Sequence, residues 1–231
     1  MITRKIIIAG ISSGEQDLIT QKALNLAKDA DLIFVPRAKN NIIGIAENLF
    51  LKIMPDKKLT PLFFPMISNE QQRDEIIYAQ LKNLSHEILN AQKIFFPMIG
   101  DATLYSTGKY LIDALKKISP EVEIEFVPGI SAHSIAAACA KRFLAMADEI
   151  LSIVPATANP AKIKRVLENS DVIAIYKPSA LKNLRDLIQS TGTFRQIITV
   201  QKAGTPDEKI FYDVDALNNL SEYMSVILLW R

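Results

Sequence analysis

Short runs of branched apolar residues alternate along this chain with longer segments whose apolar side chains recur every three to four positions. Residues 5–9 form a branched run that ends at Gly10, which predicts a buried strand. Residues 18–28 place apolar side chains on one face and charge on the other, the pattern of a helix. Residues 32–35 give a second strand closed by Pro36, residues 42–51 a helix, and residues 59–64 an extended segment. Residues 69–89 carry Ile76, Ile77, Leu81, Leu84 and Ile88 on a recurring face, predicting one long helix or two broken ones. A strand follows at 94–96, stopped by Pro97, then a helix at 104–117. Residues 122–127 alternate with glutamates before Pro128-Gly129 and read as a strand near a sheet edge.

The second half opens with a small-residue helix at 130–140. Strands are predicted at 149–154, 171–176 and 196–201, with helices at 161–168 and 180–189 between them. Two further strands, 208–212 and 223–229, read as an antiparallel, hairpin-like end. Alternating strands and helices argue an α/β fold with a mostly parallel sheet. The change of character at Pro128-Gly129 divides the chain into two α/β domains, 1–128 and 129–231. No linker rich in Gly and Ser separates them, so a ligand cleft between the two domains is the expected site.

Composition changes this picture little. The 231 residues are 49% hydrophobic and 23% charged, within the range of an ordinary globular protein. The net charge of +2 gives no overall pull toward nucleic acid or an anionic membrane, so neither is expected as a partner. One cysteine, Cys139, excludes an intramolecular disulfide and a cysteine-based zinc cluster, and its apolar neighbours predict a small buried hydrophobe. The two histidines, His86 and His133, lie far apart and make no metal-ligand spacing, so no protein-bound metal is expected. The apolar stretch near the N-terminus is too short to span a membrane and lacks a signal-peptide cleavage pattern, so a cytoplasmic location is expected.

Three turns carry the candidate chemistry. The first, Gly10-Ile11-Ser12-Ser13-Gly14, joins a strand to a helix but lacks the third glycine and the acidic partner of a dinucleotide fingerprint. No phosphate-loop lysine follows it. The second is Gly100-Asp101-Ala102-Thr103-Leu104-Tyr105, where Asp101 is placed to cap a helix and face the crevice beyond the strand ends. The third is Pro128-Gly129-Ile130-Ser131-Ala132-His133. Any one of these glycines alone reads as a plain turn residue lining a cleft.

This set of turns resembles the tetrapyrrole methylases, and within them the precorrin-2 or cobalt-factor II C20-methyltransferases. Gly100-Asp101 followed by Thr103-Leu104-Tyr105-Ser106-Thr107 is similar to that subfamily's motif, with Ala102 where the wider family has proline. Val154-Pro155-Ala156, Ile175-Tyr176-Lys177, Lys202-Ala203-Gly204-Thr205 and Tyr223-Met224-Ser225 match in place and order. The first turn departs: the family has Gly-x-Gly-Pro-Gly-Asp-Pro where this chain has Gly10-Ile11-Ser12-Ser13-Gly14-Glu15-Gln16.

The resemblance implies S-adenosylmethionine bound in a tetrapyrrole methylase-like fold, not the doubly wound fold of most methyltransferases. It implies cofactor contacts at Gly100, Asp101, Ala102, Thr103 and Leu104, at Ser131 and Ala132, and at Tyr176 and Lys177. Ala203, Gly204, Thr205 and Ser225 would complete the adenine side. Gly10 and Ser13 would border the tetrapyrrole. The family also implies a homodimer, and Phe63, Phe64, Met66 and Ile67 read either as dimer contact or as core.

Methyl transfer from a sulfonium needs alignment in a dry site rather than a catalytic triad or a metal. Asp101 and Tyr105 are the candidates for a proton or positioning role, against helix capping and plain packing as alternatives. A carboxylate-rich substrate calls for cations, and Arg37 and Lys39 after the second strand are the candidates, the alternative being solvated loop charge. Three other functions stay open: methylation at another ring position, a nucleotide- or sugar-phosphate-binding α/β protein, and a family fold without catalysis.

Overall fold

A computed structural model describes residues 4–13, 15–67 and 69–231; Gly14 of the first turn lies outside the described residues. The chain divides into two compact units, Met1–Ile130 and Ser131–Arg231.

The first unit is a five-stranded parallel sheet in the order β3-β2-β4-β1-β5. Its strands are β1 (Lys5–Ile11), β2 (Leu32–Arg37), β3 (Leu59–Phe63), β4 (Lys93–Ile99) and β5 (Glu123–Val127). Its helices are α1 (Gln21–Lys28), α2 (Ile45–Ile53), α3 (Glu70–Asn83), α4 (Ser85–Asn90) and α5 (Gly108–Lys116). Successive side chains of a strand point to opposite faces, and both faces are used. Ile7, Ala9 and Ile11 pack with Ala23 and Ala27 of α1 and Leu49 and Phe50 of α2. Ile6, Ile8 and Phe96 pack on the other face with Ile77 and Leu81 of α3 and Leu111 and Leu115 of α5. Burial on both faces explains why β1 is apolar without alternation.

The segment 69–89 is two helices broken at Leu84, one of the two alternatives expected. Three expectations for this unit need correction. Helix α1 starts at Gln21, because Thr20 accepts the Ala23 amide and caps it there. Pro97 does not stop β4, which runs through it to Ile99. The amide and carbonyl of Lys93 face β2, whereas the Gly100 amide donates to Ile11 beyond β1. Odd-numbered amides of β4 therefore point toward β2, and that pairing ends at Ile33 and Phe95. The amide that proline lacks falls where no ladder bond is made. Finally, α5 begins at Gly108 and not at 104, for reasons of local hydrogen bonding given below.

The second unit is a mixed sheet in the order β6-β7-β10-β8-β9, with β6 and β7 parallel and the remaining pairs antiparallel. It comprises α6 (Ala132–Cys139), β6 (Leu151–Pro155), α7 (Pro160–Asn169), β7 (Val172–Tyr176), α8 (Leu184–Ser190), β8 (Gln196–Gln201), β9 (Lys209–Tyr212), α9 (Asp213–Asn218) and β10 (Ser225–Trp230). Ile163 and Leu167 of α7, Leu184 and Ile188 of α8 and Leu217 of α9 cover one face of the sheet. The expected β9–β10 hairpin does not form. The short helix α9, which the sequence pattern did not reveal, separates the two strands, and β10 inserts between β7 and β8. Cys139 is only half-buried, at the margin of the stripe formed by Ile135, Ala136, Ala137 and Ala140. Phe64 belongs to the core, whereas Met66 and Ile67 are exposed. Among the described residues no helix is long and apolar enough to cross a membrane.

Candidate functional site

In the first unit the chain leaves β1 for α1 on one face and leaves β4 for α5 on the other. β1 and β4 are neighbours. Adjacent parallel strands whose connections part to opposite faces open a crevice at their carboxyl ends, where open α/β sheets bind ligands. Gly10 and Gly100 sit at that point, and Gly129 follows the end of β5 on the other side of β1. The three are in backbone contact. A Cβ on Gly10 would lie 2.5 Å from the Gly129 nitrogen and 2.6 Å from the Gly100 carbonyl oxygen. A Cβ on Gly129 would lie 2.3 Å from that same oxygen. Only hydrogen fits at Gly10 and Gly129, so these two positions depend on glycine for the close approach.

The Gly100–Tyr105 segment is held by its own side chains. Gly100 has φ of 75°, and Ala102 is buried. Asp101 Oδ1 accepts the Thr103 amide at 2.7 Å and the Thr103 hydroxyl at 2.6 Å. Tyr105 has φ of 52°, and Ser106 Oγ accepts the Gly108 amide at 3.0 Å. Such local bonds compete with the helix ladder, which is why α5 starts late. Asp101 therefore caps no helix: it stands well before α5 and closes an Asx turn instead. Among the described residues its Oδ2 makes no bond. Tyr105 is partly exposed, and burial pushes its phenol above the ordinary value.

Ser13 is buried on the first turn, and Ser12 Oγ accepts the Glu15 amide at 2.8 Å. Arg37 and Lys39 sit at the end of β2, one strand removed from β1. The Arg37 guanidinium is already engaged: Nε and Nη2 bind the Glu47 carboxylate at 2.6 and 2.5 Å, and Nη1 donates to the Asn40 carbonyl. Glu47 is buried and also accepts the Gly44 amide. The hydrogen bond from Arg37 holds the Glu47 carboxyl below its ordinary range. Arg37 is thus committed to fixing its own loop, and Lys39 is the exposed cation.

In the second unit the remaining candidates gather at one end of the sheet. Tyr176 ends β7 opposite Val226, and Ser225 opens β10 opposite Gln201, the end of β8. Three non-glycine residues there are left-handed: Lys177 (φ 54°), Lys202 (φ 48°) and Met224 (φ 61°). Gly204 joins them with φ of 73°. Strained backbone of this kind concentrates where the surrounding structure holds a ligand site. Here it is held by the Lys202 amide donating to Met224, the Gly204 amide donating to Glu208, and the Thr205 hydroxyl donating to Lys202, each at 2.8 Å. Ser225 is buried and its hydroxyl donates to Glu222, while Ala203 is also buried beside Gly204. Lys177 is exposed.

Ser131 and Ala132 start α6, and the next residue adds a contact that sequence reasoning missed. The Tyr176 hydroxyl accepts the His133 amide at 3.2 Å and lies 2.8 Å from His133 Nδ1. Only its place just after the Pro128-Gly129 turn hinted at a role. His86 is exposed on α4.

Comparison with known proteins bears on this geometry. A probable cobalt-precorrin-2 C(20)-methyltransferase of Methanocaldococcus jannaschii is 29% identical over 234 residues, spanning 100% of this chain and 97% of the relative. A cobalt-precorrin-4 C(11)-methyltransferase of the same organism is 26% identical over 219 residues, spanning 90% of this chain and 77% of the relative. The X-ray structure of a cobalt precorrin-4 methyltransferase matches the fold with a TM-score of 0.73 at 22% identity, covering 98% of this chain and 94% of that one. The family model described as tetrapyrrole (corrin/porphyrin) methylases matches residues 5–217. Glycine turns at the strand ends and a match over nearly the whole chain place the protein in one family: it belongs to the tetrapyrrole (corrin/porphyrin) methylases.

Proposed function

We propose that this protein transfers a methyl group from S-adenosylmethionine to C20 of precorrin-2 or its cobalt-bearing form. The observation that carries the ring position is the full-length likeness to a probable cobalt-precorrin-2 C(20)-methyltransferase, which exceeds the C(11) relative in both identity and coverage. The C(11) likeness supports methylation at another ring position as the second reading.

The residues suit the cofactor. Gly10, Gly100 and Gly129 keep the crevice floor free of side chains, so a ligand can approach backbone amides and carbonyls closely. Asp101 is oriented by Thr103 and keeps Oδ2 as an acceptor for an ammonium or hydroxyl group. Ala102, Thr103 and Leu104 flank it. In the second unit Ser131, Ala132, Lys177, Ala203, Gly204, Thr205 and Ser225 form the other set of contacts. Bound S-adenosylmethionine supplies an electrophilic methyl carbon on a sulfonium sulfur.

The protein's own part is to bind, orient and exclude water. Asp101 has a positioning role, because its turn fixes the carboxylate before any ligand arrives. Tyr105, protonated at neutral pH as tyrosine ordinarily is, serves as a hydrogen-bond donor beside it. Gly10 and Ser13 border the macrocycle. Arg37 holds the loop that carries Lys39, and Lys39 meets a substrate carboxylate. The protein acts as a homodimer.

Titration calorimetry with S-adenosylhomocysteine tests the cofactor, with micromolar or tighter binding expected. Incubation with precorrin-2 and with cobalt-precorrin-2, using labelled methyl donor, tests the position. Label at C20 is the expected product; no transfer to either substrate would overturn the first reading, and label at C11 of cobalt-precorrin-4 in a parallel incubation would then establish the second.

A further inference from the structure

A helix start leaves its first amides without intrahelical partners, and a serine at the N-cap ordinarily accepts one of them through its hydroxyl. Ser131 occupies that position before α6 with an extended backbone suited to capping (φ −65°, ψ 146°), yet its side chain makes no capping bond. The two amides a serine cap would take are engaged elsewhere. The His133 amide donates to the Tyr176 hydroxyl at 3.2 Å, and the Ser134 amide donates to the Ser131 carbonyl at 3.0 Å. Tyr176 reaches back from 43 residues downstream to do this. Its backbone is fixed at the end of β7, where its carbonyl accepts the Ala156 amide. Its hydroxyl also lies 2.8 Å from His133 Nδ1, and the two rings meet edge-on with centroids 6.0 Å apart.

We propose that Tyr176 is a positioning residue: its hydroxyl, gripped by the backbone and ring of His133, caps α6 in place of Ser131 and leaves the Ser131 hydroxyl for the cofactor. The cofactor half of this inference rests on the reading of Ser131 as a contact of S-adenosylmethionine; the capping half does not. It revises the role implied for Tyr176. The phenol acts through α6 rather than by touching adenine or ribose. A distant phenol serves better than the local serine here, because a serine hydroxyl turned back onto its own helix cannot also face a ligand.

A double-mutant cycle of Ser131→Ala and Tyr176→Phe tests both halves. The first readout is the melting temperature of the ligand-free protein. Ser131→Ala alone is expected to leave it within about 1 °C, because the serine caps nothing. In the Tyr176→Phe background the serine is expected to swing onto the His133 amide, so Ser131→Ala there lowers the melting temperature by about 2–4 °C. The second readout is the Kd for S-adenosylhomocysteine. Each single change is expected to weaken binding about tenfold, and the double change no further, because both remove the same contact. Equal melting losses in both backgrounds would overturn the capping claim. Multiplying affinity losses would mean that Tyr176 touches the cofactor directly, and they too would overturn the proposal. If well-folded wild-type protein bound no S-adenosylhomocysteine, the cofactor reading would fail and Ser131 would lose its role toward it, while the melting half would still decide the cap.

Discussion

At the strand ends of the first unit, Gly10, Gly100 and Gly129 meet backbone to backbone, with no space for a Cβ at Gly10 or Gly129. At the candidate end of the second unit the sheet is turned instead by Lys177, Lys202 and Met224, ordinary residues in left-handed backbone held by hydrogen bonds. The first arrangement is limited by contact, the second by torsion. Contact is unforgiving: a methyl group 2.3 Å from a carbonyl oxygen must move backbone. Torsion is milder, at about 1–2 kcal/mol for a left-handed residue, and a network of local bonds offsets it. The ion pairs differ in the same way. Arg37–Glu47 in the first unit is largely shielded, with side-chain exposures of 22% and 6%, whereas Arg195–Glu149 in the second stands at 59% and 25%.

Gly129→Ala should break this contrast most severely. We expect a loss of about 2–3 kcal/mol of stability, the scale of overpacking at a tight site, together with loss of S-adenosylhomocysteine binding, read by thermal melting and calorimetry. A tolerated alanine would mean that the three turns are not in fixed contact.

Glu47→Gln is next. It should cost about 1.5–3 kcal/mol near neutral pH, as expected for a charge-assisted bond. The Glu47 carboxyl is held below its ordinary range, so its stabilisation is complete above the unfolded-state value and fades as pH falls through the lowered folded-state one. Melting temperatures of wild type and variant should therefore converge in acid, below about pH 4. Glu149 is also lowered, first by the Met146 amide and then by Arg195, but the pair is less shielded than Arg37–Glu47. Glu149→Gln should shift melting far less than Glu47→Gln, and equal shifts would erase the distinction between the two pairs.

Torsion is tested by opposite substitutions, one in each unit. Gly100→Ala should lose about 1 kcal/mol, because its φ is positive. Lys202→Gly should gain less than about 1 kcal/mol, since release of strain outweighs the extra freedom of the unfolded chain. Chemical denaturation of each variant reads the sign.

The elements most legible in the sequence were those fixed by local pattern. The apolar runs of β1 and β7 and the alternating glutamates of β5 announced their strands, and β5 lies at the edge of its sheet as expected. Legibility failed where a bond from outside the segment, or a side chain within it, outweighed the pattern. The Asx turn at Asp101 delayed α5, and the Thr20 cap delayed α1. Proline in β4 looked like a stop until the neighbouring strand proved not to need its amide. Arg37 looked like a ligand for carboxylates, and it is one, but the carboxylate is Glu47. No local pattern announced that partner, because the pairing depends on the loop folding back onto α2.

By itself the sequence determined the α/β class, the succession of strands and helices, and the positions of the glycine turns, because apolar periodicity and the torsional freedom of glycine act over a few residues. Tertiary structure alone decided that Gly10, Gly100 and Gly129 touch, that β10 enters between β7 and β8, and that Tyr176 reaches α6. These outcomes depend on which strands become neighbours, and strand order is set by the packing of whole faces rather than by any single stretch of chain.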